Sequence, residues 1–182
     1  MRSRWLAVLG VVAFVLAGCG EKQEPGQKKA GGRLFGVTFQ TMNNPFFVDL
    51  NEGIQKVVEA NGDRLVTLDA QWDSLKQKND ISDLIQQGAA GIFINPVNWE
   101  GIKGSLLDAK RAGIPCIVVD APAKDMDLVL CTVASDNAEA GRLAARALAQ
   151  AKPDAKAVIL HLSVNKACID RVAGFTEEIA KH

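Results

Sequence analysis

The sequence predicts an α/β fold with a parallel, Rossmann-like sheet, and three observations lead to that class. From Arg33 onward, short apolar runs of strand length alternate with stretches of helical periodicity. The first three predicted helices each end at a glycine, the residue most often found just after a helix. Polar residues directly follow the apolar strands. Regular alternation of this kind predicts βαβ units with right-handed crossovers.

Residues 33–134 hold the first α/β unit. Asn44 is a favourable N-cap and Pro45 is favoured at the first position of a helix, so the first helix begins there and ends at Gly62. Periodicity and turn residues define the elements that follow. We predict strands over residues 33–39, 64–69, 91–95, 115–120 and 128–134, and helices over residues 44–62, 73–88 and 99–112.

Residues 135–182 begin a second α/β unit. Its first helix opens with the polar sequence SDN and is rich in alanine, and its second helix has apolar residues on one face. We predict helices over residues 135–151 and 167–181 and one strand over residues 157–161. Because one strand cannot form a core, we expect this second unit to be incomplete.

The first 18 residues have the pattern of a bacterial lipoprotein signal peptide. Arg2 and Arg4 give a positive start, and the apolar run over residues 5–17 is about 13 residues long, whereas a membrane span needs about 20. The run closes with LAGC, a lipobox-like sequence whose Cys19 would carry lipid after cleavage. Residues 19–32 are polar and Gly-rich, which predicts a flexible tether. We therefore expect an exported domain that is lipid-anchored to the cell membrane.

Composition and motif content argue against several classes of function. The formal net charge is +0, so no basic field would gather nucleic acid or anionic lipid. The sequence contains no G-x-S-x-G motif, P-loop or metal-ligand spacing. His161 ends a predicted strand, but no nucleophile pairs with it, and His182 is the last residue. We expect a monomer without catalysis, cofactor, metal or nucleic-acid partner.

Three cysteines, Cys116, Cys131 and Cys168, follow Cys19. Export would permit a disulfide, and Cys116 and Cys131 lie on successive predicted strands, so a bridge between them is conceivable. Buried free thiols fit at least as well, because cysteine packs as a small hydrophobic residue. Since three is an odd number, at least one of these thiols is free.

Three predicted strands end in a hydrogen-bonding side chain: Asp69, Asn95 and Asp120. The carboxyl ends of parallel strands lie at one edge of the sheet, where open α/β folds bind ligands. Each of the three could be an ordinary turn former. Their shared position nevertheless favours a polar rim around one cleft. Gln71 and Trp72, just past the second strand, are candidates for the edge of this cleft, although for Trp72 packing beneath a loop is favoured.

The loop after the first strand has the sequence NNPFF at residues 43–47, where a nucleotide-binding protein would have glycines. The asparagine amides offer hydrogen bonds, and the rings of Phe46 and Phe47 offer flat apolar faces. Phe47 also has the helical spacing of a core residue, so both roles are open for it. The combination favours a small, polar, uncharged ligand such as a sugar or polyol.

Five short motifs stand out along the chain: NNPFF at 43–47, INP at 94–96, IPCIVVD at 114–120, ASDN at 134–137 and DRVAGF at 170–175. Together they resemble the periplasmic sugar-binding proteins of ABC importers, specifically the ribose-binding group. The resemblance implies the type 1 periplasmic-binding-protein fold, with a first lobe over residues 33–134 and an incomplete second lobe over residues 135–182. It also implies that the lobes close on a monosaccharide or polyol and then dock on permease subunits.

The resemblance further implies a role for each matching residue. Asn44 would hydrogen-bond a ring hydroxyl, and Phe46 and Phe47 would stack on or flank the sugar. Asp120 would accept hydrogen bonds from hydroxyls, and Arg171 would donate hydrogen bonds from the second lobe across the closed cleft.

Two departures from the family bear on these expectations. Ala121 follows Asp120 where ribose-specific members carry an arginine, so one fixed donor is absent and the identity of the sugar stays open. Members of the family also continue for about another hundred residues or more, so we expect a truncated or split gene product, or an incomplete sequence. The alternatives are a ligand-sensing partner of a chemoreceptor or histidine kinase, or a non-functional product. A DNA-binding regulator is disfavoured, because the leader stands where a helix-turn-helix would be.

Overall fold

The computed structural model of the chain describes residues 31–182. The predictions made for residues 1–30, which include the signal peptide, the lipidated Cys19 and most of the tether, lie outside the described residues. Within the described range, no helix has both the length and the apolar character needed to cross a membrane.

A five-stranded, entirely parallel sheet forms the centre of the first unit, with the spatial order β2-β1-β3-β4-β5. The chain therefore leaves β1 on one side to form β2 and returns past it to form β3. This reversal creates a switch point at the carboxyl ends of β1 and β3, where open α/β sheets bind ligands. The predicted α/β class is confirmed. The strands are β1 Leu34–Phe39, β2 Arg64–Asp69, β3 Gly91–Ile94, β4 Cys116–Val119 and β5 Cys131–Val133.

Three helices of the first unit connect the strands and pack on both faces of the sheet. On one face, Leu84 and Leu106 are buried with Ile92 of β3. On the other face, Phe47 packs against Phe39 with 5.7 Å between the ring centroids, which confirms its interpretation as a core residue. These helices are α1 Pro45–Ala60, α2 Ser74–Gln86 and α3 Lys103–Arg111.

Two elements of the first unit are shorter than predicted by four or more residues. The helix predicted over residues 99–112 begins only at Lys103. The side chain of Asn98 accepts hydrogen bonds at 3.0 Å from the backbone N–H groups two and three residues later, which holds this stretch in a turn. The strand predicted over residues 128–134 forms only as β5, because a short 3-10 helix occupies Met126–Leu128.

Residues 135–182 contain two closely packed helices, α4 Asn137–Ala151 and α5 Lys166–Ile179, as predicted. The backbones meet at Gly141 and Gly174. A Cβ atom on Gly141 would lie 2.0 Å from the carbonyl oxygen of Arg171, and one on Gly174 would lie 2.0 Å from that of Ala138. Only glycine permits this approach, so the helix pair depends on both positions.

The strand predicted over residues 157–161 does not form. The segment has no regular secondary structure and lies outside the sheet of the described residues. Val158 is 88% exposed and Leu160 is 93% exposed. A strand needs a neighbouring strand to satisfy its backbone groups, and the sequence pattern alone does not supply that neighbour. The prediction was therefore wrong.

The three described cysteines, Cys116, Cys131 and Cys168, are unpaired in the structure. In the parallel register of β4 and β5, Cys131 lies opposite Ile117. Cys116, one residue earlier, therefore points to the other face of the sheet. Cys116 is buried in the core, and this burial raises the pKa of its thiol to about 11.

Candidate functional site

A cleft of about 340 Å³ opens at the carboxyl ends of the strands, between the N-terminal turns of α1 and α5. All five residues predicted to bind a ligand line this cleft: Asn44, Phe46, Phe47, Asp120 and Arg171. Four of them come from the first unit and Arg171 comes from α5. The cleft therefore brings together residues that are separated by more than two thirds of the chain. Its other lining residues are Gln40, Trp72, Leu162, Asn165, Ala167 and Cys168.

Asn44 is held in place by its role as the N-cap of α1. Its Oδ1 accepts the hydrogen bond from the backbone N–H of Phe46 at 3.0 Å. The cap occupies the oxygen, so the Nδ2 group is the part of the side chain that can donate to a molecule in the cleft. Asn44 is exposed, as such a role requires.

Phe46 and Phe47 form one aromatic wall with two different environments. Their rings meet edge to face, with centroids 5.4 Å apart and planes at 70°. Phe47 is buried in the core, whereas Phe46 is 52% exposed. An exposed ring supported by a buried one provides a fixed apolar face.

Asp120 adopts an uncommon backbone conformation directly after β4. Its φ angle is +66°, in the left-handed region, while its backbone N–H still donates to Val133 O at 2.9 Å. A non-glycine residue there is held by its surroundings at some cost, and such positions cluster at functional sites. The turn directs the carboxylate toward the cleft that it lines.

The charge of Asp120 is partly desolvated. Burial raises the pKa of its carboxyl group, while the hydrogen bond from Asn95 and the positive charge of Arg171 act in the opposite direction. A carboxylate in such a place accepts stronger hydrogen bonds than one in water.

Asn95, expected in the polar rim, lies beneath the cleft instead. It is fully buried, and its Nδ2 donates to Asp120 Oδ2 at 3.1 Å and to Val119 O at 3.3 Å. Its Oδ1 accepts from the backbone N–H of Gln40 at 3.2 Å. The side chain of Gln77 donates to Asn95 O at 2.9 Å. Asn95 therefore orients Asp120 and does not itself line the cleft.

The residues at the end of β2 and just after it differ in whether they line the cleft. Asp69 Oδ1 accepts a hydrogen bond from the backbone N–H of Gln71 at 2.8 Å, which is the behaviour of an ordinary turn former. Gln71 is exposed and lies outside the cleft lining. Trp72 lines the cleft with half of its surface exposed, so it edges the cleft and does not pack beneath a loop.

A second, larger cavity of about 520 Å³ lies between α4, α5 and residues 157–161. Its lining is mainly aliphatic and includes Leu148, Val172 and Phe175. The lining of this cavity also includes His161 and Cys168. Within the described residues, no three His, Cys, Asp or Glu side chains come together as metal ligands would.

Sequence reasoning missed Gln40 and Asn165, which are both buried and line the cleft. Gln40 follows β1 directly, so it occupies the same kind of strand-end position as Asn95 and Asp120. The rule that selected those residues would have selected Gln40 as well. Asn165 is the N-cap of α5, and the preference for asparagine at that position would have identified it.

Comparison with known proteins agrees with this fold. The profile of the periplasmic binding protein domain matches residues 35–182. The ribose import binding protein of Bacillus subtilis is 35% identical over 156 residues, which cover 82% of this chain and 50% of that protein.

Two solved structures extend the comparison. The periplasmic binding protein component of the arabinose ABC transporter from Shewanella sp. ANA-3, bound to α- and β-L-arabinofuranose, has a TM-score of 0.74 and 31% identity, and the match covers 81% of this chain and 50% of that one. An ABC transporter solute binding protein from Mycobacterium smegmatis with bound glycerol has a TM-score of 0.75 and 32% identity, over 82% of this chain and 52% of that one. The present chain thus spans about half the length of these relatives. With its profile match, parallel sheet and strand-end cleft, the chain belongs to the periplasmic binding protein domain family, and its α/β fold is that of the type 1 members.

Proposed function

We propose that this chain binds a small neutral monosaccharide or polyol in the cleft between its two units, as the solute-binding subunit of an ABC importer. The observation that carries the proposal is the convergence of Asn44, Phe46, Phe47, Asp120 and Arg171 on one cleft at the switch point of the sheet. The cleft volume of about 340 Å³ lies within the range of small-molecule sites.

The charges in the cleft favour a neutral ligand. Asp120 and Arg171 bring one negative and one positive group, which offset each other. A neutral hydroxyl can donate to the carboxylate and accept from the guanidinium, and both hydrogen bonds are charge-assisted. The exposed ring of Phe46 then contacts the C–H face of the ligand.

The relatives support a sugar or polyol as the class of ligand. One relative is named as a ribose import binding protein, and the two solved structures hold arabinofuranose and glycerol. All three are neutral and rich in hydroxyls, as the cleft chemistry requires. Ala121 provides no side-chain donor beside Asp120, whereas Arg171 and Asn44 both bring side-chain donors to the cleft.

The proposed cycle is closure of the two units on the ligand, followed by docking of the closed form on permease subunits. We further propose that the chain acts as a monomer outside the cytoplasm and is held at the membrane by lipid on Cys19. Metabolic labelling with a radioactive fatty acid should label the chain, and Cys19→Ala should abolish that label. An unlabelled chain would contradict the lipid anchor.

The binding proposal is tested by calorimetry of the full chain with a panel of pentoses, hexoses and polyols. At least one of them should bind, and Asp120→Asn should weaken that binding by about 10- to 100-fold, because a charge-assisted hydrogen bond is lost. Asp69→Asn is the matched control, since Asp69 ends a strand outside the cleft lining, and it should leave affinity unchanged. Absence of binding across the panel, or equal losses in both variants, would contradict the proposal.

A further inference from the structure

The turn that begins α5 is hydrogen-bonded to the first unit at two points. Asn165 Nδ2 donates to Gln40 Oε1 at 3.3 Å, and the backbone N–H of Trp99 donates to Val164 O at 3.1 Å. The ammonium group of Lys166 also lies 5.7 Å from the centre of the Trp99 ring. Of these contacts, only the one between Gln40 and Asn165 joins two residues that line the ligand cleft.

Gln40 is held rigidly from its backbone. Its N–H donates to Asn95 Oδ1 at 3.2 Å, and its carbonyl oxygen accepts from the N–H of Trp72 at 2.7 Å. The side chain is buried and lines the cleft. Its Oε1 is occupied by Asn165, whereas its Nε2 donates to no other residue of the described chain. This Nε2 group therefore remains available to a molecule in the cleft.

Asn165 uses its two amide atoms on two different parts of the molecule. Its Oδ1 accepts from the backbone N–H of Cys168 at 3.1 Å, which caps α5, while its Nδ2 reaches Gln40. One side chain thus begins α5 and ties that beginning to the end of β1. Arg171 lies less than two turns further along the same helix.

We propose that Gln40 is a positioning and specificity residue of this site. Its Nε2 donates a hydrogen bond to an acceptor oxygen of the bound sugar or polyol, and its Oε1 holds Asn165 so that α5 keeps Arg171 at the cleft. The side-chain amide of Gln40 therefore both contacts the ligand and positions the second unit. This inference rests on the proposed sugar-binding function.

Two variants of Gln40 separate the two halves of the inference. Gln40→Met keeps the approximate volume and removes both hydrogen-bonding groups. Gln40→Glu keeps an oxygen that can accept from Asn165 but replaces the Nε2 donor. Gln71→Met is the matched control, because Gln71 also follows a strand but lies exposed outside the cleft lining.

The experiment measures affinity by calorimetry for the panel sugar that binds best, and amide hydrogen exchange at Cys168 without sugar. Gln40→Met should weaken binding by about tenfold and accelerate exchange at Cys168, because both hydrogen bonds are lost. Gln40→Glu should weaken binding without accelerating that exchange. Gln71→Met should change neither quantity. Unchanged affinity and exchange in Gln40→Met would overturn the inference.

A second variant covers the case in which Gln40→Met does not fold. Asn165→Ser retains an oxygen that can cap Cys168 but shortens the side chain and removes the amide donor to Gln40, so it should accelerate exchange in the first turn of α5. Unchanged exchange would overturn the positioning role. If the unmodified chain binds no sugar of the panel, the proposed function fails, and the exchange measurement still decides the positioning role, because it needs no ligand.

Discussion

Two regions of this chain, residues 31–134 and residues 135–182, carry equally clear secondary-structure patterns. All the predicted strands form in the first region, whereas the predicted strand of the second region does not. In residues 31–134 each predicted strand finds a parallel neighbour, and the sheet buries apolar side chains on both faces. In residues 135–182 both helices form, yet the apolar run at 157–161 remains outside the sheet, with Leu160 93% exposed. A helix satisfies its backbone within one segment, whereas a strand depends on another. The difference shows that a strand pattern predicts a capacity to pair, which only a neighbouring strand realises.

The largest difference in stability between the two regions is expected when a leucine in each is truncated to alanine. Leu84→Ala removes a fully buried side chain from the core of the first unit and should lower the free energy of unfolding by about 2–5 kcal/mol. Leu160→Ala removes an exposed side chain and should change it by about 0.5 kcal/mol or less. Urea unfolding of the full chain measures both. Similar losses in the two variants would show that residues 157–161 are packed as a strand would be.

A smaller effect is expected at the helix contact that organises the second region. Gly141→Ala places a Cβ only 2.0 Å from the carbonyl oxygen of Arg171, so α4 and α5 must separate at a cost of about 1–3 kcal/mol. Because Arg171 lies at that contact, ligand affinity should fall as well.

Gly53→Ala is the control for this substitution. Gly53 lies within α1, and a Cβ there would meet no atom within 4 Å. Alanine should therefore stabilise the chain by about 0.5–1 kcal/mol. Thermal unfolding measures both variants, and a neutral Gly141→Ala would contradict the close helix contact.

The smallest effect on stability is expected where the two regions meet, at Asp120. Burial raises the pKa of this carboxyl group in the folded state. Its contribution to stability is therefore greatest at pH values below the ordinary aspartate pKa and is lost as the pH rises through the folded-state pKa. Asp120→Asn should leave the unfolding midpoint at pH 7 equal or slightly raised, with the advantage shrinking as the pH is lowered toward about 3. The prediction would be contradicted if the unfolding midpoint of Asp120→Asn were below that of the unmodified chain at pH 7 and approached it in acid.

Local signals account for most of what the sequence predicts about the fold. The cap at Asn44 fixes the start of α1, and strand-length apolar runs locate all five strands of the sheet. The start of α3 was missed because the Asn98 side chain binds backbone N–H groups that a helix would otherwise use. The strand at 157–161 was wrongly predicted, because pairing is a property of the whole fold.

Short motifs and strand-end positions predicted five residues that line one cleft. The hydrogen-bonding partners of the cleft residues could be identified only from the three-dimensional structure. Asn95 and Asp69 both end strands, yet one orients Asp120 from beneath and the other only closes a turn. Gln40 and Asn165 are 125 positions apart in sequence, and nothing in either local pattern indicates that their amides meet. Residue type and position predict which groups can bind, but not the atoms that they contact.

We propose that one ligand site draws on both regions of the chain. Hydrogen exchange of the full chain, measured with and without the sugar that binds best, tests this arrangement. Sugar should slow exchange both around residues 44–47 in the first region and around residues 165–171 in the second. Protection confined to one of these segments, or located at the cavity beside residues 157–161, would contradict it.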